Sequence, residues 1–253
     1  MNTDNKNFSD NYQQMYDVNI RITKAKKAIA ILNDFFNDNL PRTLLDIGCS
    51  TGIMTNEYSK YFKNIIGIDI DSNAIKFANE NYQSQNLKFL NCSYDEMRLS
   101  NKKFNVITLT HIYEHVDDPV DLFEKIYELL SPGGVCYFVA GNRFKIIEPH
   151  FNLPFLSYLP KNIAKIYLKM LFKNGDFYQK HLSLINLRKL VKNFVIHDYT
   201  LKTIQHPGKY ISEDLVKEKS LLQKLYLFIS KNFYFFVPTY IWVLEKKITE
   251  DHK

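Results

Sequence analysis

Apolar positions in the first third of the chain change period twice. From Ile20 to Asn37 they recur at helical spacing (Ile22, Ala25, Ala28, Ile29, Leu32, Phe35, Phe36), and Pro41 stops that helix. Short β-branched runs then alternate with helical patterns. The predicted strands are Leu44–Cys49, Asn64–Ile70, Leu87–Cys92, Phe104–Thr110 and Val135–Ala140. Helices are predicted near Thr55–Phe62, Ser72–Gln83 (with Ser72 as N-cap) and Pro119–Leu130, before a Pro132-Gly133-Gly134 turn. Strands alternating with helices predict a parallel sheet covered on both faces, an α/β doubly wound fold. Past Asn142 the alternation breaks into an aromatic, proline-bearing stretch and a helix ending near Phe172. A helix Leu184–Lys192, a strand Val195–Ile204, a helix Glu213–Ser230 and a last strand Tyr240–Lys246 follow. That ending fits the edge of the same sheet. Residues 1–18, polar and without a steady period, are expected to form a mobile arm.

Composition narrows this picture only modestly. The 253 residues are 45% hydrophobic and 24% charged, enough to bury a core and to exclude wholesale disorder. Thirty-three Lys+Arg against 27 Asp+Glu leave a surplus of +6, which permits an acidic partner without demanding one. Cys49, Cys92 and Cys136 form no CxxC pair, so a reducing compartment is expected. The polar N-terminal stretch is unlike a secretory signal, and no uninterrupted apolar run approaches the roughly 18 residues a spanning helix needs. The expectation is a soluble, cytoplasmic protein.

The chemistry-bearing segment is Leu44-Leu45-Asp46-Ile47-Gly48-Cys49-Ser50-Thr51-Gly52, where a strand passes into a helix. Glycines there let backbone turn tightly and approach a ligand that a side chain would exclude. The next strand ends on Asp69, where an open α/β sheet puts a carboxylate for ribose hydroxyls. A dinucleotide fingerprint fails, because Ser50 and Ile53 stand where G-x-G-x-x-G needs glycine. Cys49 reads as a small packing residue.

The D-x-G-x-x-x-G arrangement instead resembles motif I of the class I S-adenosylmethionine-dependent methyltransferases, with Ser50 in place of the middle glycine. The resemblance runs through about Thr43–Asn142. Asp69 matches the family's ribose-binding acid, and Leu87–Tyr94 its adenine-contacting turn, with Ser93 where an acid is common. Phe104-Asn105-Val106-Ile107-Thr108 and Leu130-Ser131-Pro132-Gly133-Gly134 are similar to its strand 4 and to the turn before strand 5. The resemblance implies a Rossmann-like seven-stranded sheet, mostly parallel with its last strand antiparallel, over residues 19–253. It also implies S-adenosyl-L-methionine as cofactor, held by Asp46, Gly48, Cys49, Ser50, Gly52, Asp69, Ile70, Ser93, Tyr94 and Thr110.

Ligands bind outside the carboxyl ends of such strands, so Thr110–Pro119 should face the transferred methyl. His111-Ile112-Tyr113-Glu114-His115 spells H-x-x-E-H, a zinc-protease pattern, but it follows a buried strand and runs into a helix start rather than lying on one helix. No metal is expected. In the family reading the segment is similar to the L-E-H-V-x-D-P stretch of the type 11 and ubiquinone-biosynthesis-like branch. A hydroxyl acceptor must lose a proton, which makes His111 and His115 candidate bases with Glu114 orienting one. Glu114 and His115 capping and packing the loop is the alternative. The absence of an N/D/S-P-P-Y/F tetrad and of a Pro-Cys nucleophile after strand 4 argues against a nucleic-acid methyltransferase.

Residues 143–181 read as a helical lid over the acceptor site, with Glu148 and His150 as substrate-side candidates. Its E-P-H-F…L-P-F-L-S…L-P run resembles methyltransferases of surface-polysaccharide and lipid-linked glycan pathways. Lys161, Lys165, Lys169 and Lys173, spaced by four, align on one helix face as a solvated stripe or a peripheral contact with the inner membrane face. The function expected is O-methylation of a small-molecule, glycan or lipid-linked acceptor, with a non-catalytic cofactor-binding module as the competing class.

Overall fold

A computed structural model describes residues 13–144, 147–148, 153–154, 156–171 and 181–247. Helix α1 (Val18–Phe35) opens on Asp17, whose carboxylate accepts the Ile20 N–H at 3.0 Å. There follow β1 (Thr43–Ile47), α2 (Ile53–Tyr58), β2 (Asn64–Asp69), α3 (Ser72–Asn81), β3 (Leu87–Asn91), α4 (Tyr94–Leu99), β4 (Phe104–Thr110), α5 (Pro119–Leu129) and β5 (Leu130–Gly141). The short strands β6 (Ile147–Glu148) and β7 (Leu153–Pro154) pair with each other, ahead of α6 (Lys161–Met170). The chain ends with α7 (Leu184–Leu190), β8 (Phe194–Asp198), α8 (Thr200–Gln205), α9 (Leu221–Asn232) and β9 (Thr239–Lys246).

The sheet order is β3-β2-β1-β4-β5-β9-β8, parallel through β5, with β9 antiparallel to both β5 and β8. Adjacent strand residues go to opposite faces, so the pairs Leu44/Leu45, Ile65/Ile66 and Val106/Ile107 divide between two cores. One core holds Leu45, Ile107, Phe138 and Trp242 under α5 and α7; the other holds Leu44, Val106 and Val243 under α1 and α3. Two-sided burial is why these strands read as continuous apolar runs. The chain reverses its winding between β1 and β4, and that switch point opens a crevice at the strands' carboxyl ends.

Local chemistry moves several boundaries. Asp71, not Ser72, caps α3, its Oδ1 accepting the N–H of Asn73 and Ala74 at 3.0 and 3.1 Å. The expected strand through Ile204 stops at Asp198, whose carboxylate accepts the Thr200 N–H and starts α8. Helix α9 begins at Ser220, later than the Glu213 expected from periodicity, with Ser220 Oγ accepting the Gln223 N–H at 3.1 Å. A helix unanticipated in the sequence, α4, is closed by a reciprocal cap between Ser93 and Glu96.

Candidate active site

The turn after β1 is built by main chain. Gly48 and Gly52 lie at φ +75° and +76°, and Ser50, between them, at φ +50°. The Gly48 and Cys49 N–H groups both donate to Ile68 O, at 2.9 and 3.1 Å, which folds the turn back onto β2. A Cβ on Gly48 would stand 2.1 Å from Ile112 Cδ1, and one on Gly52 2.7 Å from Ala78 Cβ and the Phe89 ring. Cys49 packs against Gly67, and burial raises its thiol well above the usual range, so it fills space rather than reacting.

Two carboxylates flank this turn. Asp69, at the end of β2, accepts the N–H of Ser50 on Oδ2 (2.8 Å) and of Asp71 on Oδ1 (2.9 Å). Burial pushes its pKa up against those bonds. Each carboxylate oxygen has a second lone pair available, so ribose hydroxyls can still be bound. Asp46 is fully enclosed in the sheet. Thr55 and Thr108 hydroxyls donate to its two oxygens at 2.6 Å each, and burial raises its pKa to about 6. Asp46 therefore braces β1 against β4 and α2 from below.

The N-terminal segment adds what the sequence reading left out. Residues Gln13–Tyr16, inside the stretch expected to be a mobile arm, form a 3-10 turn. The Thr51 hydroxyl donates to Met15 O at 2.7 Å, and the Tyr16 ring meets Phe77 edge-on at 5.1 Å. From α1, the half-buried Arg21 guanidinium senses both Asp46 and Asp69. No local motif marks these residues, because they reach the site only by tertiary packing.

Just past β3, the Ser93 side chain is committed to capping α4, and Glu96 Oε2 accepts the Ser93 N–H at 2.7 Å. Half-buried Tyr94 has its phenol pushed up to about 12 by burial and by Asp121, Asp95 and Asp118. Ile70 is half-buried just past β2. Thr110 Oγ1, at the end of β4, is buried with no hydrogen-bond partner among the described residues. The cradle that a Cβ would fill, the carboxylate that ends β2 and this orphan hydroxyl all fit S-adenosylmethionine.

After β4 the chain turns on His111 at φ +56° into a 3-10 turn, Tyr113–His115. Glu114 is buried, with its Oε1 at 3.3 Å from His111 Nδ1 and 3.9 Å from His181 Nδ1. Burial pushes the Glu114 carboxyl up. The His111 hydrogen bond and the charges of His111, His181 and His115 outweigh it and hold the group below its ordinary range. The His111 side chain is 40% exposed and that of His181 only 5%. Glu114 thus joins a histidine open to solvent and one enclosed.

His181 stands at the far end of the insertion, 66 residues beyond His115, and no spacing rule reaches it. Its ring lies against Gly141, where a Cβ would come within 2.6 Å of His181 Cε1. The Tyr113 hydroxyl donates to Gly141 O (2.7 Å) and accepts the Leu182 N–H (3.0 Å), while the Arg143 N–H donates to Leu182 O (3.1 Å). Both ends of the insertion are therefore tied to the turn that carries Glu114.

Within the insertion, Glu148 lies on β6 and His150 lies outside the described residues, so neither side chain is placed. Lys161, Lys165 and Lys169 fall on α6, the latter two exposed; Lys173 lies outside the described residues.

Comparison with known proteins agrees with this geometry. Residues 45–138 match a family described as a methyltransferase domain. A ubiquinone biosynthesis O-methyltransferase of Psychrobacter cryohalolentis is 28% identical over 135 residues, 49% of this chain and 52% of that protein. The one from Actinobacillus pleuropneumoniae is 29% identical over 112 residues, 40% of this chain and 47% of that protein. The chain thus spans about half the length of the curated relatives it matches. Among solved structures, the plantazolicin methyltransferase BpumL in complex with a monoazolic desmethylPZN analog and SAH superposes with a TM-score of 0.60 at 21% identity, over 94% of this chain and 89% of that one. The cyclopropane synthase MmaA2 of Mycobacterium tuberculosis gives 0.50 at 15%, over 86% and 84%. The glycine turn and the acid ending β2 lie inside the matched segment, so residues 45–138 resemble a methyltransferase domain and the chain has the class I S-adenosylmethionine-dependent methyltransferase fold.

Proposed function

We propose that this protein transfers a methyl group to an oxygen nucleophile on a small-molecule, glycan or lipid-linked acceptor. The observation that carries the reading is the pairing of exposed His111 with buried Glu114 at the mouth of the cofactor crevice. S-adenosylmethionine supplies an electrophilic methyl on a cationic sulfur. The chain's task is then to hold an acceptor in line and take its proton. With Nδ1 turned toward Glu114, His111 Nε2 is free to accept a hydroxyl proton, and the carboxylate stabilises the resulting imidazolium. His115 belongs to the same charged cluster, and Glu148 and His150 are proposed on the acceptor side.

The oxygen acceptor is supported by the likeness to ubiquinone biosynthesis O-methyltransferases, and a lipid-linked or glycan acceptor by the sequence of the insertion. Among the described residues no helix is long and apolar enough to cross a membrane. Residence in the cytoplasm, with the α6 lysines touching an inner membrane face, belongs to the same proposal. The lack of an amino-methylating tetrad supports a reading without nucleic acid.

Calorimetry with S-adenosylmethionine tests the cofactor site. Gly48→Arg should abolish binding, and Asp69→Ala should weaken it by about 100-fold, the value of two charge-assisted hydrogen bonds. Unchanged binding in both variants overturns the assignment. Transfer of labelled methyl into a fractionated extract, followed by mass spectrometry, identifies the acceptor; no labelled product would favour the non-catalytic module.

A further inference from the structure

Helix α9 is inside out. Its buried residues are polar, Gln223 and Ser230, while Leu221, Leu222, Leu225, Tyr226, Phe228 and Ile229 are exposed, Leu221 to 83% and Phe228 to 64%. The exposed set covers roughly 160° of the helix at 3.6 residues per turn. A surface helix of a globular domain ordinarily turns its apolar stripe inward. Here hydrogen bonds hold the helix instead. Gln223 Nε2 donates to Ile204 O and Gln205 O at 2.9 and 3.1 Å, and Gln223 Oε1 accepts the Lys219 N–H at 2.7 Å. The outward orientation is therefore fixed by specific contacts.

The patch continues beyond the helix. Phe233 and Phe236 are exposed on the following turn, and the Phe236 and Phe235 rings meet Phe144 at 6.2 and 4.8 Å. Phe144 in turn meets Tyr158, whose hydroxyl donates to Phe144 O at 2.6 Å, just ahead of α6. On α6, Ala164 and Leu168 are buried, yet Ile163, Ile166 and Met170 are also exposed, beside exposed Lys165 and Lys169.

Charge selects the occupant. From Lys219 to Leu244 the sequence has no aspartate or glutamate, yet Lys219, Lys224 and Lys231 stand on or next to α9. Lys224 and Lys231, seven residues apart, flank the same edge of the apolar arc. An exposed apolar stripe edged only by lysine is the composition of a helix that lies in a lipid interface, with its apolar face in the acyl boundary and its ammonium groups among anionic headgroups.

We propose that α9, together with the turn after it and the exposed face of α6, is a surface that docks onto an anionic lipid bilayer. This deepens the membrane contact proposed for the α6 lysines by naming the element that inserts. It does not depend on which acceptor is methylated. Because α6 belongs to the insertion, docking would bring the acceptor side of the molecule to the bilayer.

The test is co-sedimentation of the full chain with phosphatidylcholine–phosphatidylglycerol vesicles and with phosphatidylcholine alone. Binding is expected to the mixed vesicles, falling with added salt. Leu225→Ser with Phe228→Ser should lower the partition by about tenfold or more, and Lys224→Gln with Lys231→Gln by about tenfold. Leu221→Ser with Leu222→Ser, at the other end of the patch, should repeat the first loss, which separates lost docking from a folding defect in one variant. Unaltered S-adenosylhomocysteine binding by calorimetry shows the cofactor site intact in each. Lys165→Gln with Lys169→Gln tests the α6 contact separately, so either contact can fail alone. Wild type left in the supernatant with both vesicles overturns the proposal. So does vesicle binding unchanged by the α9 variants, or an ultracentrifugal dimer abolished by Leu225→Ser with Phe228→Ser, which would make α9 a contact between two copies.

Discussion

The two sides of the crevice are built from different materials. On the β1–β2 side, geometry is carried by backbone: three left-handed residues in the Gly48–Gly52 turn, N–H groups folded onto Ile68 O, and Asp69 gripping two more N–H groups. On the β4 side it is carried by side chains: Glu114 and His111 from the strand's exit, and His181 brought in from the far end of the insertion. A backbone site tolerates almost no change at its glycines but little cares which polar residues surround it. A side-chain cluster behaves in the opposite way, since each member can be exchanged and its loss is felt mainly through charge.

Substitutions that respect one side's material and violate the other's separate the two. The largest effect is expected for Gly52→Ala. Its Cβ would meet Ala78 Cβ and the Phe89 ring, neither a flexible chain end, at a positive φ. Overpacking and left-handed strain together cost about 3 kcal/mol, a Tm lowered by roughly 6–12 °C in thermal melts. Cofactor affinity should fall with it, and an unchanged Tm would show that the turn relaxes to admit the methyl group.

Glu114→Gln comes next and acts through charge. The folded carboxyl titrates below its ordinary value of 4.5, so its stabilising contribution is present above that pH and is lost as pH falls through the lower folded value. The variant should lose about 1–3 kcal/mol near neutrality and have a flatter urea midpoint between pH 7 and acid than wild type. In the methyl-transfer assay it should lower kcat by about tenfold to hundredfold. His181→Gln should reproduce part of that loss and shift the pH–rate profile. An unshifted profile would make His181 a packing residue only.

Ser50→Gly is the smallest change. It relieves left-handed strain of about 1–2 kcal/mol but adds unfolded-state freedom worth about 0.5–1 kcal/mol. Tm should rise by only about 1–3 °C, with S-adenosylmethionine affinity inside a twofold range by calorimetry. A large change in either direction would show that the hydroxyl itself contacts the cofactor.

Legibility in the sequence follows the same division. The strands β1, β2 and β4 are readable because burial on both faces writes them as largely apolar runs, and the turn because few residues other than glycine accept its φ angles. Asp69 is readable from its distance to that turn. The capping of α4 by Ser93 and Glu96 is equally local, a serine three residues ahead of a glutamate. The strand expected to run to Ile204 shows the limit of propensity: β-branched residues continue past Asp198, yet the Asp198 carboxylate takes the Thr200 N–H and the chain turns into a helix.

The sequence by itself determined the α/β sheet, its glycine turn and the acid that ends β2, since short-range pattern and backbone sterics dictate all three. Only the tertiary structure decided that Met15 and Arg21 border the crevice, that His181 shares Glu114 with His111, and that α9 turns its apolar face outward. Each of those depends on which distant segments meet. Hydrophobic periodicity records that a helix has two faces, and the hydrogen bonds of Gln223 decide which of them is buried.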